Sequence, residues 1–219
     1  MKNYKWAWVY GLLTILLLYM MEQEWLFGYL TKTLIKLPLF TIIPYFLMRV
    51  LVRDMPKDHF KVDALKTLAM GIVIVIGGLI LGYLLASPWI EIEAIRQDIM
   101  SRMSISKELL IGVALYTTFV NAFVEEYFFR KFLFRGSLLS ERKHTAYILS
   151  SLLFSLYHMT IFIQWFTLPI LLLALVGLFV GGLIFAWFAD KSESIIGSWL
   201  VHVAADGAIM IIGIVIIGL

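Results

Sequence analysis

Two adjacent glutamates and an arginine interrupt one of the most apolar segments of the chain, FVNAFVEEYFFRKFLF at positions 119–134. A charged side chain at the centre of a membrane helix costs about 2.5–3.5 kcal/mol, so these three residues need partners or a function. Glu126 and Arg130 are spaced i,i+4 with the acid first, which favours an ion pair on one helix face. Glu125 points about 100° away from Glu126 on a regular helix, so we expect it to face a different neighbour.

Three further polar groups stand in apolar segments downstream: His158 in FSLYH, and His202 and Asp206, spaced i,i+4, in HVAAD. A short polar break at 140–143 predicts a helical hairpin, in which Glu125 and His158 lie about 25 Å from the turn and so at the same height. His202 and Asp206 share one helix face at a comparable depth. One buried pocket lined by Glu125, His158, His202 and Asp206 is therefore geometrically possible.

This set of groups suits the hydrolysis of a peptide bond. A carboxylate can deprotonate water, while imidazoles can bind a metal ion or donate hydrogen bonds to the oxyanion that forms when water attacks an amide. The sequence has no H-E-x-x-H, no G-x-S-x-G and no cysteine. Only Asp206 lies well inside an apolar segment, whereas an aspartyl dyad needs two such residues.

The same residues have plainer interpretations. Glu125, Glu126 and Arg130 could brace the helices or lie near the membrane surface, with their polar ends extended into it. One intramembrane histidine is often a hydrogen-bonded packing residue. Intramembrane carboxylates and histidines are also typical of proton-coupled transporters, although no repeated halves are visible here. Three polar clusters in three apolar segments favour a functional site over packing alone.

The elements that must position these residues are membrane helices. Hydrophobic residues make up 62% and charged residues 15% of the 219 positions, against about 45–50% and about 25% in a soluble domain. No period-2 alternation indicates a barrel. The sequence therefore predicts an all-α polytopic helical bundle that forms a single transmembrane domain over 1–219. Apolar stretches predict about seven transmembrane spans, at 6–21, 37–52, 64–86, 109–139, 144–163, 168–189 and 195–218.

The distribution of basic residues predicts the orientation. Most Lys and Arg fall in segments on the side of the N-terminus, which places the N-terminus in the cytoplasm by the positive-inside rule. Lys32 and Lys36 are expected in an outer loop before the second span. The polar stretch 87–108 is also expected outside, as a surface amphipathic helix or, alternatively, as a cap over substrate.

Composition and spacing limit the other possibilities. The absence of cysteine excludes disulfides and thiol catalysis, and the net charge of +3 follows from basic loops and indicates no nucleic acid partner. Two GxxxG patterns predict close packing of helices, with the glycines Gly78, Gly82, Gly177 and Gly181.

The series EEYFFR (125–130), FSLYH (154–158) and HVAAD (202–206) resembles the EExxxR, FxxxH and HxxxN/D motifs of the CPBP family, the CAAX protease and bacteriocin-processing intramembrane endopeptidases. Order and chemistry both match, over a motif-bearing core at about 109–210. The resemblance implies Glu125 as the base that activates water. It also implies that the site is lined by His158, His202 and Asp206. The residues that it implies as support for the site are Glu126 and Arg130.

The resemblance leaves the cofactor unknown. Both a Zn²⁺ site, with Glu125, His158 and His202 as candidate ligands, and a metal-free glutamate mechanism are open. Asp206 stands where many relatives have asparagine. An aspartate makes the site more anionic, which favours a metal ion, whereas an asparagine suits an oxyanion hole better.

We therefore expect an intramembrane endopeptidase of a bacterial plasma membrane that acts, within the lipid bilayer, on a membrane-associated peptide or a membrane-protein substrate. The small size and short loops favour a bacterial peptide, such as a pheromone or bacteriocin precursor, over the prenylated CAAX tails that eukaryotic relatives cleave. The alternative is a non-catalytic bacteriocin immunity or regulatory membrane protein. A proton-coupled transporter is less favoured.

Overall fold

The computed structural model describes residues 5–51, 58–59, 64–93, 95–97, 107–138 and 142–217. All regular secondary structure within these ranges is helical. The prediction of an all-α fold is therefore confirmed.

The α-helices are, in chain order, α1 (Lys5–Gln23), α2 (Tyr29–Leu37), α3 (Ile43–Leu51), α4 (Ala64–Ala86), α5 (Lys107–Leu115), α6 (Ala122–Glu126), α7 (Lys143–Phe162), α8 (Leu168–Lys191) and α9 (Ile195–Ile217). Wider, π-helical stretches continue some of them: Pro38–Ile42 joins α2 to α3, Tyr116–Asn121 joins α5 to α6, and Tyr127–Arg135 follows α6. A 3-10 turn, Ser87–Trp89, follows α4. The segment 107–135 is thus one continuous helix, here called the glutamate helix because it carries Glu125 and Glu126.

Five helices in the described part of the chain are long and apolar enough to cross a membrane: Tyr29–Val50, Leu65–Trp89, Lys143–Phe162, Leu168–Lys191 and Ile195–Ile212. The chain is thus a multi-pass membrane protein, as predicted. The first and fourth predicted spans coincide with α1 and with the glutamate helix, and neither of these is among the five. The predicted number of seven spans and the cytoplasmic N-terminus stay predictions.

The second span differs from its prediction, because the helix begins at Tyr29 instead of 37. Lys32 and Lys36, expected in a loop, therefore lie on α2. Pro38 has helical dihedral angles, φ −64° and ψ −35°, and the wider π-helical turn absorbs it, with the N–H of Ile43 donating to Pro38 O. Pro38, near the start of the predicted span 37–52, therefore lies inside the helix that begins at Tyr29.

Aromatic side chains join the N-terminal helices to the glutamate helix. Phe40 stacks on Phe128 with ring centroids 4.1 Å apart and meets Phe129 edge to face at 5.7 Å. Phe129 in turn packs edge to face on Phe154 of α7 at 5.3 Å. All four rings are buried, and such ring pairs contribute about 0.5–1.5 kcal/mol each beyond their buried area. The π-helical turn of the second span therefore belongs to the same core as the glutamates.

Close helix packing occurs at a glycine outside the predicted patterns. A Cβ on Gly182 of α8 would lie 3.0 Å from Cα of Ser151 on α7, so any larger residue would require one of the two helices to shift. The prediction for the two GxxxG patterns is wrong. Open space surrounds their glycines, where a Cβ would meet none of the described atoms within 4 Å: Gly78, Gly82, Gly177 and Gly181.

Ion pairs mark two opposite ends of the bundle. At one end Asp58 pairs with Lys131 of the glutamate helix, and both lie in segments predicted to be cytoplasmic. At the other end Lys32 pairs with Glu22 at 2.6 Å. Of the polar stretch 87–108, the structure describes 87–93, 95–97 and 107–108, with helical turns at 92–93 and 95–97. The choice between a surface helix and a cap therefore falls partly outside the described residues.

Candidate active site

Glu125 lies at the centre of a polar cluster. Its side chain is 3% exposed, and its two oxygens have different surroundings. Oε1 accepts hydrogen bonds from Nζ of Lys36 at 2.8 Å and from Nδ2 of Asn121 at 2.7 Å. Oε2 lies 3.8 Å from Nε2 of His158 and 3.8 Å from Nε2 of His202. One oxygen is therefore held by donors, and the other faces both histidines.

The position of His158 assigns its tautomer. Nδ1 lies 2.9 Å from the backbone oxygen of Phe154, and a carbonyl oxygen can only accept, so Nδ1 carries the proton. The neutral ring then presents an unprotonated Nε2 towards Glu125. The side chain of His158 is 16% exposed, which makes it one of the more open members of the cluster.

His202 lies between the two glutamates. Its Nδ1 is 2.9 Å from Oε1 of Glu126, and its Nε2 is 3.8 Å from Oε2 of Glu125. Asp206, one turn later on α9, places Oδ1 3.5 Å from the same Nε2. The ring stacks on Phe185 of α8 with centroids 4.7 Å apart. Three carboxylates and an aromatic face therefore set the orientation of this imidazole.

The ion pair predicted between Glu126 and Arg130 is confirmed. Nε of Arg130 lies 3.4 Å from Oε2 of Glu126, and both side chains are completely buried. The guanidinium also lies over the rings of Phe154 and Phe185, 4.5 and 5.3 Å from their centroids, and Nη2 is 3.5 Å from Gly182 O. Arg130 thus links the glutamate helix to α7 and α8 as well as neutralising Glu126.

The structure brings together all four residues of the predicted pocket: Glu125, His158, His202 and Asp206. Glu126 and Arg130 lie directly behind them, with Glu126 holding the far nitrogen of His202. The catalytic and supporting roles that the resemblance implies for these six residues stay predictions. Asp206, 19% exposed, and His158 mark the open flank of the cluster.

Sequence reasoning missed Lys36, Asn121 and Tyr157. Nζ of Lys36 lies 2.6 Å from Oδ1 of Asn121 and 2.5 Å from the Tyr157 hydroxyl, in addition to its contact with Glu125. One signal was present in the sequence: the predicted site had three carboxylates and one arginine, so a buried glutamate lacked a cation. Lys36 was not considered as that cation, because the predicted second span begins at 37 and leaves Lys36 in a loop.

The donors present do not fit a metal ion as they are placed. Within the described ranges, no three His, Asp or Glu side chains are arranged to hold a metal ion. The Lys36 ammonium, 2.8 Å from Glu125, already supplies the positive charge that a metal ion would bring to this carboxylate. The residues as placed therefore fit a carboxylate neutralised by Lys36 better than a set of Zn²⁺ ligands.

An apolar groove lies apart from the polar cluster, between α4 and α8. It is lined by apolar side chains, including Met70, Ile74, Trp187 and Phe188, and no member of the cluster lines it. Gly71 of α4 forms its floor, where a Cβ would lie 1.7 Å from the Phe188 ring. The candidate site is thus separate from this groove and rests on its side-chain chemistry.

Comparison with known proteins places the cluster in a family. The profile of Rce1-like proteins, described as type II CAAX prenyl endopeptidases, matches residues 107–208, just under half of the chain. Comparisons with curated proteins and with solved structures give no match. The matched region contains all six site residues predicted from the sequence, while Lys36 lies outside it. A match to this family implies an intramembrane protease. The comparison thus identifies residues 107–208 as a region of the Rce1-like type II CAAX prenyl endopeptidase family, that is, of the CPBP family.

Proposed function

We propose that this protein is an intramembrane endopeptidase in which Glu125 activates the water molecule that attacks the peptide carbonyl. The observation that carries the proposal is the position of Glu125 Oε2, 3.8 Å from Nε2 of His158 and 3.8 Å from Nε2 of His202. These separations are too long for direct hydrogen bonds. Polar groups separated in this way are commonly bridged by water.

A water molecule between Glu125 and His158 would have a defined orientation. Oε2 of Glu125 accepts a hydrogen bond, and so does the unprotonated Nε2 of His158, whose Nδ1 lies 2.9 Å from Phe154 O. The water would donate one hydrogen to each of them. Its oxygen lone pair would then point away from both and towards a substrate carbonyl, as nucleophilic attack requires.

His202 is the proposed donor to the oxyanion. In its doubly protonated form, Nδ1 donates to Glu126 across 2.9 Å, and Nε2 directs a second N–H into the site. A donor that is already oriented stabilises the developing negative charge without reorganisation. Asp206 helps to orient the His202 ring, because its Oδ1 lies 3.5 Å from Nε2.

The proposed reaction is a single hydrolysis. Glu125 takes a proton from the water as the water oxygen bonds to the carbonyl carbon, and the carbonyl electron pair moves onto its oxygen. Collapse of the tetrahedral intermediate breaks the C–N bond, and the proton on Glu125 passes to the leaving amine. A carboxyl group and an amine are released, and Glu125 is ionised again.

The proposed substrate is a peptide that reaches the site from the membrane. His158 and Asp206 form the open flank, so the scissile bond would approach from their side. The matching family is described as CAAX prenyl endopeptidases, which makes a prenylated peptide the first probe. Unprenylated apolar peptides, such as bacterial peptide precursors in a bacterial plasma membrane, are the second.

The Glu125→Gln variant tests the proposal most directly. Glutamine keeps the size and hydrogen bonds of the side chain but cannot take a proton from water, so we expect cleavage to fall by at least about 10²–10⁴-fold, the usual contribution of a general base. Cleavage would be measured with internally quenched farnesylated and unprenylated peptides and reconstituted protein. Glu24→Gln, the same change at an exposed position of the chain, is the matched control.

The outcomes separate the classes of function. Full cleavage by Glu125→Gln contradicts the glutamate mechanism, and retention of the biological role in cells by an inactive variant favours a binding or immunity protein. A transporter is favoured if the unmodified protein cleaves nothing but carries substrate across the membrane in a pH-dependent way, and if Glu125→Gln stops this flux. Loss of cleavage on chelation of divalent metal ions would restore the Zn²⁺ mechanism.

A further inference from the structure

Lys36 supplies a cation to the candidate site from outside the region that matches the family. We propose that Lys36 is a positioning residue for Glu125: its ammonium group neutralises this carboxylate and selects Oε2 as the oxygen that faces the histidines. The inference rests on the proposed function, since the position of Glu125 matters for catalysis only if Glu125 is the base.

The ammonium group has a partner for each of its three N–H bonds. Nζ lies 2.8 Å from Oε1 of Glu125, 2.6 Å from Oδ1 of Asn121 and 2.5 Å from the hydroxyl oxygen of Tyr157. An ammonium has three donors and no acceptor, so these contacts use all of them. The side chain of Lys36 is only 11% exposed. Its orientation is therefore defined by the glutamate helix and α7 together.

The contacts distinguish the two oxygens of Glu125. Oε1 accepts from Lys36 and from Nδ2 of Asn121, 2.7 Å away. Asn121 also accepts from Lys36 through Oδ1, so the three side chains form a closed hydrogen-bonded triangle. The carboxylate cannot rotate without breaking two charge-assisted or amide hydrogen bonds. Oε2 is left to face Nε2 of His158 and of His202, each 3.8 Å away.

Each buried glutamate has its own cation in the described part of the chain. Glu126 pairs with Arg130 at 3.4 Å, and Glu125 pairs with Lys36 at 2.8 Å. A buried carboxylate without a partner is strongly unfavourable, so Lys36 allows Glu125 to remain ionised among apolar helices. A metal ion bound between Glu125 and the histidines would use the oxygen that the base needs, whereas Lys36 uses the other one.

Aromatic rings hold the ammonium group in place. Nζ lies 5.0 Å from the ring centroid of Phe40 and 4.7 Å from that of Tyr157, within the range of cation–π attraction. Phe40 is completely buried and stacked on Phe128. The π-helical turn that contains Phe40 therefore fixes the height at which Lys36 enters the site.

The experiment compares Lys36→Met with Lys32→Met, using reconstituted full-length protein and an internally quenched farnesylated CAAX peptide. Both lysines are on α2 one turn apart, and Lys32 pairs instead with Glu22. We expect Lys36→Met to lower kcat about 100-fold, the effect of a misplaced reacting group. KM should stay within about threefold, because Lys36 acts on Glu125 and not on the substrate. Lys32→Met should behave as the unmodified protein, and Lys36→Arg should regain part of kcat.

A second measurement does not depend on substrate. If Lys36 neutralises Glu125, Lys36→Met should lower the Tm in detergent, and adding Glu125→Gln should recover much of that loss because no buried charge is then left alone. Additive Tm losses in the double variant overturn the inference, as does a kcat of Lys36→Met equal to that of Lys32→Met. An active Glu125→Gln variant contradicts the proposed function instead, and the Tm comparison still decides whether Lys36 neutralises Glu125.

Discussion

Two regions of the chain contribute different groups to one polar cluster: the glutamate helix with α7–α9, and the N-terminal segment α1–α3. The glutamate helix and α7–α9, within residues 107–208, provide both glutamates, both histidines and Asp206, and one cation, Arg130. The N-terminal segment provides no carboxylate or imidazole to the cluster in its described part, but it provides the ammonium group of Lys36 and the ring beneath it.

The difference shows which part of such a site a family motif describes. The matched region contains the groups with the more specific chemistry, because carboxylates and imidazoles are the usual general bases and acids near neutral pH. A compensating positive charge is less specific, since any cation of suitable reach can supply it. The N-terminal helices can therefore serve the site without carrying a motif of their own.

The largest effect is expected within the matched region. Arg130→Ala removes the cation of a completely buried carboxylate, and breaking a buried ion pair in this way costs about 3–5 kcal/mol. It also removes the contacts of the guanidinium with Phe154 and Phe185. We therefore expect a large fall in the free energy of unfolding in detergent, together with loss of cleavage.

Arg49→Ala is the matched control for this prediction. Arg49 is exposed on α3, where Nη2 donates to the hydroxyl of Tyr45 at 2.8 Å, and the loss of a single exposed polar contact should change stability by less than about 1 kcal/mol. Equal stability of Arg130→Ala and the unmodified protein would mean that Glu126 is solvated. The contrast between a cation inside the matched region for Glu126 and a cation from the N-terminal segment for Glu125 would then fail.

The sequence predicted the internal geometry of the matched region well because regular helical spacing determines it. The i,i+4 relation of Glu126 and Arg130 and the hairpin that brings Glu125 to His158 both follow from helix geometry. The link between Glu126 and His202 was missed, because the rotation of α9 depends on packing against Phe185. Lys36 was missed because the apolar stretch begins only at 37, whereas the helix begins at Tyr29. The π-helical turn that follows Lys36 depends on the packing of Phe40, which the sequence pattern does not show.

A smaller effect is expected from the N-terminal side. Phe40→Ala removes the ring that stacks on Phe128 and lies beneath Lys36. The cost should be below the roughly 3–5 kcal/mol of Phe→Ala in a soluble core, since lipid and not water is the alternative surrounding of the ring. We also expect kcat to fall because Lys36 loses part of its support.

Phe46→Ala is the control, since Phe46 lies on α3 of the same span and is 62% exposed. Thermal unfolding and peptide cleavage would be measured for both variants. If the two variants are indistinguishable, the N-terminal segment does not take part in the site, and the comparison between the two regions fails.

The smallest effect is expected at Asp206, where the HxxxN/D pattern that the chain resembles allows either asparagine or aspartate. Asp206→Asn keeps an oxygen near Nε2 of His202, 3.5 Å away in the present structure, and removes one negative charge from a cluster that still contains Glu125 and Glu126. If the matched region needs only the hydrogen-bonding shape of this side chain, kcat should change by less than about tenfold, or about 1.4 kcal/mol in activation free energy. Asp190→Asn, the same change at a carboxylate that pairs with Lys143 at 2.6 Å, controls for the loss of charge alone. A much larger loss for Asp206→Asn would mean that this negative charge is required, either for a protonated His202 or for a bound metal ion. Charge compensation would then be a task of the matched region as well as of Lys36.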